Sequence, residues 1–423
     1  MNQLNQNPSQ RSIYIWNITG SIANALLSIV ALMIVTRFLD DRQADIFSIA
    51  WSISLLMATV GTFQIRMYQA TDVKGVFCFR QYHLFRIITV CVMMVSSYIY
   101  ILMRGYTGKK ALVVMVICLF RAVDSMADVY EGWFQQKERL DLAGKALTYR
   151  IIVAVIGFGI GLALTKDLLF SCLILVASYM ICYVFYDLRY YKAVDAFRSN
   201  VTEGMKGAWI VKMVMEGFPL FINAFLIASI MNAPKMVLDT VIEQGMLEQG
   251  VQTAFNIIFM PASFLNLAYI VFRPLITKMA VMWNVGEEKE FLKILIKVEI
   301  ALVGIGIVIL AGSALIGIPA LSFVYAVELA EYKRELLVVI IGGCIYTFAA
   351  VLDNALVVIR MQYVLVLSYV VTYLYIKIAA KVMIGSWGVL GGAISYATAM
   401  GVFFVVTAVM FAVCFYHVYR KRL

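Results

Sequence analysis

The sequence predicts an all-α polytopic membrane protein with about twelve transmembrane helices in two six-helix lobes. Three observations predict it. Hydrophobic residues make up 63% of the chain and charged residues 14%, with a mean hydropathy of +0.89, whereas a soluble globular chain carries about 25% charged residues. The apolar residues gather into runs long enough to cross a bilayer, which takes about 20 residues at a 1.5 Å rise. One polar stretch near the midpoint, Asp187–Glu216, divides the chain into comparable halves.

The runs in the first half cover 12–36, 44–65, 84–103, 111–130, 147–165 and 168–186. Those in the second cover 213–232, 251–272, 295–318, 335–359, 363–384 and 388–416. Residues 1–186 therefore read as one lobe and 213–423 as another, joined by a cytoplasmic linker over 187–212. That linker sets Arg189, Lys192, Arg198, Lys206 and Lys212 against Asp187, Asp195 and Glu203. Two readings of it are open, an amphipathic segment on an anionic leaflet or a solvated loop. Alternate connections, above all 66–86 and 273–297, hold most of the Lys and Arg, so the positive-inside rule places both termini in the cytoplasm. Each long basic connection follows the second run of its half. That shared layout predicts a parallel repeat about an axis along the membrane normal, with a path between the lobes.

Composition also excludes. The net charge of +10 comes from basic residues clustered between runs, where topology alone puts them, so nucleic acid is not an expected partner. The first run is longer than a signal-peptide core and lacks a small-residue cleavage pattern, so it is expected to stay as a span. The seven cysteines are scattered without a CxxC, and His83 and His417 have no partner at ligand spacing, so neither a metal nor another cofactor is expected. The outer connections, the largest being 233–250 and 319–334, leave no room for an extracellular domain.

Several polar residues interrupt the runs. Arg121, Asp124 and Asp128 in the fourth fall on one helical face together with Ser125. Charge at the bilayer centre costs about 2.5–3.5 kcal/mol per residue even on lenient scales, so this face must point to a cavity or to other helices. Two readings stay open: an internal Arg121–Asp124 ion pair, or an arginine that meets an anionic substrate beside a carboxylate, Asp124 or Asp128, that binds a coupling ion. Asn17, Ser21, Asn24 and Ser28 form a stripe on the first run, which either packs helices closely or lines a polar path. Arg37 follows that run as an outer-end anchor, and Arg66 lies at the inner end of the second, placed to snorkel. Lys377 lies deeper in the eleventh run than Lys381, and Asp353 is a lone carboxylate in the tenth. Pro219 and Pro261 fall inside runs, where each frees a backbone carbonyl and can bend a helix.

A set of short motifs then recurs in a familiar order: Val35-Thr36-Arg37, Arg66-Met67-Tyr68-Gln69-Ala70-Thr71-Asp72, Gly217-Phe218-Pro219-Leu220, Asn232-Ala233-Pro234-Lys235, Phe272-Arg273-Pro274-Leu275, Ile359-Arg360-Met361-Gln362 and Trp387-Gly388-Val389-Leu390-Gly391-Gly392-Ala393. Together they resemble the polysaccharide-biosynthesis flippases of the multidrug/oligosaccharidyl-lipid/polysaccharide (MOP) exporter superfamily, across most of the chain. The resemblance implies a MATE-like pair of lobes in the bacterial cytoplasmic membrane, no enzymatic step, and an undecaprenyl-pyrophosphate-linked oligosaccharide turned from the inner to the outer leaflet by alternating access. It further implies a cavity lined by cations, for which Arg37, Arg66, Arg121, Arg273 and Lys377 are the candidates by type and place. Asp124, Asp128 and Asp353 are the candidates for H⁺ or Na⁺ coupling. Other polysaccharide-assembly proteins and membrane lipid are the further partners it suggests. The rival within the superfamily is a cation-coupled multidrug exporter. A membrane polymerase or ligase is disfavoured by the short, histidine-free outer connections.

Overall fold

A computed structural model describes residues 8–72, 75–193, 209–270 and 273–422. Every long element in it is a helix. Most of the linker stretch, with Asp195, Arg198, Glu203 and Lys206, and the end of the eighth run at 271–272 lie outside the described residues.

The first helices begin and end where local chemistry requires. α1 (Gln10–Phe38) starts at Ser9, whose hydroxyl accepts from the Ser12 amide at 3.2 Å. In α2 (Asp41–Thr62) Asp40 does the same for Gln43 at 2.9 Å. Such caps satisfy amide groups that the first turn leaves unpaired. α2 is broken from the short α3 (Ile65–Thr71) by Phe63 and Gln64, at φ 46° and 51°. Phe63 is clamped there, its ring stacked on Phe221 at 4.7 Å and edge-on to Phe85 at 5.4 Å. That break delivers Arg66, two residues later, to its partners.

α4 (Phe79–Arg104) and α5 (Gly108–Gln136) come next, then α6 (Leu140–Thr165) and α7 (Leu168–Cys182). α7 continues without interruption through a π-helical turn, Tyr183–Leu188, into α8 (Arg189–Ala193). The sixth apolar run thus stays helical past Asp187, the first residue of the polar midpoint stretch. α5 is the hub of this part of the chain, packed on α2, α3, α4, α6 and α7. It is absent from the nine helices among the described residues that are apolar enough to cross a membrane, because it carries too many charged residues, Arg121, Asp124, Asp128 and Glu131 among them. The chain is a multi-pass membrane protein.

α9 runs from Trp209 to Glu243, longer than the apolar run 213–232, so Pro234 and Lys235 are helical where the end of the run predicts a loop. α10 (Val251–Ile270) contains Pro261, and α11 (Arg273–Val285) is short. α12 (Glu288–Gly312) ends in a second π turn and α13 (Ile318–Tyr325). α14 (Lys333–Val358) packs against α10, α11, α12 and α15. α15 (Leu365–Arg422) is two helices that meet at Gly388, whose φ of 55° and ψ of −128° suit only a residue without a side chain. Close by, a Cβ on Gly391 would lie 1.9 Å from the Met383 carbonyl oxygen.

The chain forms two compact units, Met1–Phe225 and Leu226–Leu423.

Candidate functional site

The inward face of α5 carries Arg121, Asp124, Asp128 and Glu131 at helical spacing. Its lower half anchors a chain of ion pairs within the N-terminal unit. At one end Arg86 of α4 donates from Nη2 to Asp128 Oδ2 at 2.7 Å and from Nη1 to the Gly61 carbonyl at 2.9 Å. The other oxygen of Asp128 accepts from Arg66 Nη1 at 3.0 Å, and the same nitrogen reaches Glu131 Oε2 at 2.8 Å. Glu131 Oε1 in turn accepts from Arg150 of α6, which donates its other terminal nitrogen to Asp187 in the π turn.

The order is therefore Arg86, Asp128, Arg66, Glu131, Arg150, Asp187. Three guanidinium groups alternate with three carboxylates, and the charges cancel. The side chains of Arg86, Arg150 and Asp187 are 0% exposed and that of Glu131 is 7% exposed, whereas Asp128 reaches 21% and Arg66 31%. Burial is completed by a cluster that includes Ile65, Tyr82, Phe85, Tyr130, Trp133 and Phe134. In such a setting the attraction between partners roughly repays their lost hydration, so the pairs dictate register between α3, α4, α5, α6 and the π turn more than they add net stability.

The upper half of the face makes a separate pair. Arg121 Nη1 lies 3.2 Å from Asp124 Oδ2, and the Tyr179 hydroxyl donates to Asp124 Oδ1 at 2.5 Å. The guanidinium carbon of Arg121 sits 4.7 Å from the Trp51 ring and 5.2 Å from that of Phe120. The Arg121–Asp124 ion pair named in one of the two readings is therefore present. Asp124 and Asp128 each hold at least one arginine.

The other candidates belong to other elements. Asn17, Ser21 and Asn24 are exposed on α1, and Ser28 is half-buried. The close contact of α1 falls on Gly20 and Gly144 instead, where a Cβ on Gly144 would lie 2.2 Å from the Trp16 carbonyl oxygen. Arg37 is exposed at the end of α1. In the C-terminal unit the Tyr369 hydroxyl donates to Asp353 Oδ2 at 3.1 Å. Lys377 is exposed, its Nζ 5.3 Å from the Tyr373 ring. Arg273 opens α11, and its side chain lies outside the described part. Among the described residues no His, Cys, Asp and Glu cluster could hold a metal ion.

Sequence reasoning missed Arg86, Glu131, Arg150, Asp187 and Tyr179 as members of this constellation. Two signals were present. Glu131 continues the stripe of Arg121, Asp124 and Asp128, and Arg150 lies inside an apolar run rather than beside it.

No protein-family model matches the chain, and no curated protein matches its sequence. Solved structures do. An inward-facing multidrug resistance MATE family transporter of the MOP superfamily aligns with a TM-score of 0.70 at 13% identity, over 93% of this chain and 94% of that one. The lipid II flippase MurJ in an inward closed conformation aligns with a TM-score of 0.65 at 11% identity, over 94% and 86%. A MOP superfamily transporter from Pyrococcus furiosus with a binding pocket of reverse polarity aligns at 0.59 and 13% identity, over 98% and 97%. The chain has the fold shared by these MOP superfamily transporters.

Proposed function

We propose that this chain, built on the MOP transporter fold, is a flippase in the bacterial cytoplasmic membrane. It carries a polyprenyl-pyrophosphate-linked oligosaccharide from the inner to the outer leaflet for capsule, exopolysaccharide or O-antigen-like assembly. In this reading twelve spans cross the bilayer, both termini are cytoplasmic, residues 187–212 join the lobes 1–186 and 213–423, and no covalent step is catalysed.

One observation carries the reading. The charges inside the N-terminal unit are satisfied by one another: Asp124, Asp128, Glu131 and Asp187 all hold arginines. A cationic drug finds no free carboxylate among these four, and neither does a coupling ion. The amides and hydroxyl of Asn17, Ser21 and Asn24, none of them buried, supply instead a polar surface suited to sugar. A pyrophosphate head needs cationic contacts through some 30 Å of hydrocarbon, for which Arg37, Arg273 and Lys377 are candidates by type and place beside Arg66 and Arg121, which already hold carboxylates. Coupling to H⁺ or Na⁺, where used, falls to Asp353, which holds a single tyrosine hydroxyl in place of an arginine. The likeness to MurJ, a lipid II flippase, supports this assignment.

A second reading, a cation-coupled multidrug exporter, draws on the likeness to MATE family transporters. One experiment separates the two. The purified chain in proteoliposomes with a labelled polyprenyl-pyrophosphate oligosaccharide is expected to expose label to an external glycosidase over time, and Arg273→Ala to slow that exposure. Absent exposure, with cationic dye uptake driven by an ion gradient, assigns the exporter.

A further inference from the structure

Positive charge within the helices is distributed unequally. Arg66, Arg86, Arg121 and Arg150 of the N-terminal unit each face a carboxylate. Lys235, in the C-terminal unit, does not. It is half-buried in α9, eight residues before the helix ends at Glu243. Its Nζ lies 4.4 Å from the centroid of the Phe259 ring on α10. Among the described residues it makes neither an ion pair nor a hydrogen bond.

The neighbours at helical spacing do not supply the missing anion. Asn232, one turn back, spends its amide on the Ala228 carbonyl at 2.9 Å, and Asp239, one turn on, is engaged with another group. Phe259 is held by Tyr396 of α15 at 4.6 Å, so the surface beneath the ammonium is fixed.

A half-buried ammonium loses hydration, and a single ring contact, worth about 0.5–2 kcal/mol, recovers only part of that loss. The result is a cation that lacks an anion. A lysine presents phosphate with a compact, strongly hydrated point charge.

We infer that Lys235, seated on Phe259, is an oxyanion contact of the C-terminal unit that takes a phosphate of the transported lipid-linked substrate. This rests on the flippase reading for its substrate but not for its chemistry.

The test uses the full chain in detergent, titrated with geranylgeranyl pyrophosphate and with the uncharged geranylgeraniol, in wild type, Lys235→Met and Lys235→Arg. Loss of one charge-assisted contact is expected to weaken pyrophosphate binding about tenfold or more in Lys235→Met, with alcohol binding unchanged and Lys235→Arg near wild type. Equal pyrophosphate binding in Lys235→Met overturns the assignment. So does an equal loss of pyrophosphate and alcohol binding, which marks a packing role. Flipping by proteoliposomes tells the two proposals apart. A Lys235-dependent pyrophosphate affinity in a chain that flips nothing keeps the anion contact and removes the flippase. Flipping with Lys235-independent affinity does the reverse.

Discussion

Replacing Arg150 by Met tests the ion chain where it is driest. Arg150 and Asp187 are both 0% exposed and bonded to each other. Met keeps the length and the apolar stem but leaves Asp187 with no arginine, and the chain of charges with two guanidinium groups against three carboxylates. Removing one member of a buried pair costs about 3–5 kcal/mol, because the survivor stays out of water unpaired. A domain of this size loses about 2–4 °C of melting temperature per kcal/mol, so a loss of about 4 kcal/mol corresponds to roughly 8–16 °C. Adding Asp187→Asn restores the balance, with Arg86, Asp128, Arg66 and Glu131 left as two pairs. The double variant is expected to melt above the single one, with a coupling of about 2 kcal/mol. Intrinsic fluorescence in detergent reads this out, since Trp16, Trp51, Trp133 and Trp209 all belong to the N-terminal unit. An Arg150→Met protein that melts within about 2 °C of wild type, or a double variant no better than the sum of the singles, refutes the reasoning.

Gly144→Ala puts a methyl group 2.2 Å from the Trp16 carbonyl oxygen, a backbone atom that cannot rotate away; α1 and α6 must part, at about 1–3 kcal/mol, and the melting temperature falls accordingly. Gly388→Ala meets a backbone conformation closed to side chains, φ 55° with ψ −128°; a loss of about 1–3 kcal/mol is expected, again read by thermal unfolding. Asp167 caps α7 by accepting the Phe170 amide at 2.9 Å, and that bond holds its carboxyl below the ordinary range, helped by Lys109. Its contribution is full above the unfolded carboxylate value, about 3.9, and fades as pH falls through the lower folded one. Asp167→Ala is therefore expected to lose about 1 kcal/mol at neutral pH and progressively less only once pH falls below about 3.9, as urea melts across pH would record.

The face of α5 is legible in the sequence because its residues recur at one helical period: Arg121, Asp124 and Asp128 mark an inward stripe by their spacing alone. Their partners are not legible in the same way. Arg66, Arg86, Arg150 and Asp187 come from segments far apart in the chain, and a pairing across such distances leaves no periodic trace. Counting basic residues for topology puts Arg86 among cytoplasmic charges, although the structure buries it. Asp187 looks like the start of a solvated segment because polar residues come after it, while the helix carries on beneath them. Glu131 is lost to a boundary, since the fourth apolar run stops at 130 and α5 continues to Gln136. Pro234-Lys235 suggests a loop at the seventh helix. Yet a helix among helices tolerates a proline when neighbours satisfy the freed carbonyl. The stripe from Asn17 to Ser28 stands undecided in the sequence between packing and path, because small polar residues serve both; Gly20 and Gly144 take the packing role.

The π turn at Tyr183–Leu188 makes the length of that segment part of the charge arrangement. A π turn accommodates one more residue than a regular helical turn, and each residue rotates the rest of the helix by about 100° around the axis. Deleting any one residue between Cys182 and Asp187 would swing the carboxylate off Arg150 while every charged side chain remained in the sequence. Relatives of this chain that keep the ion chain should accordingly vary in length at the tight connection around Lys137–Arg139 sooner than here, and an alignment gap within 183–186 should coincide with the loss of Arg150.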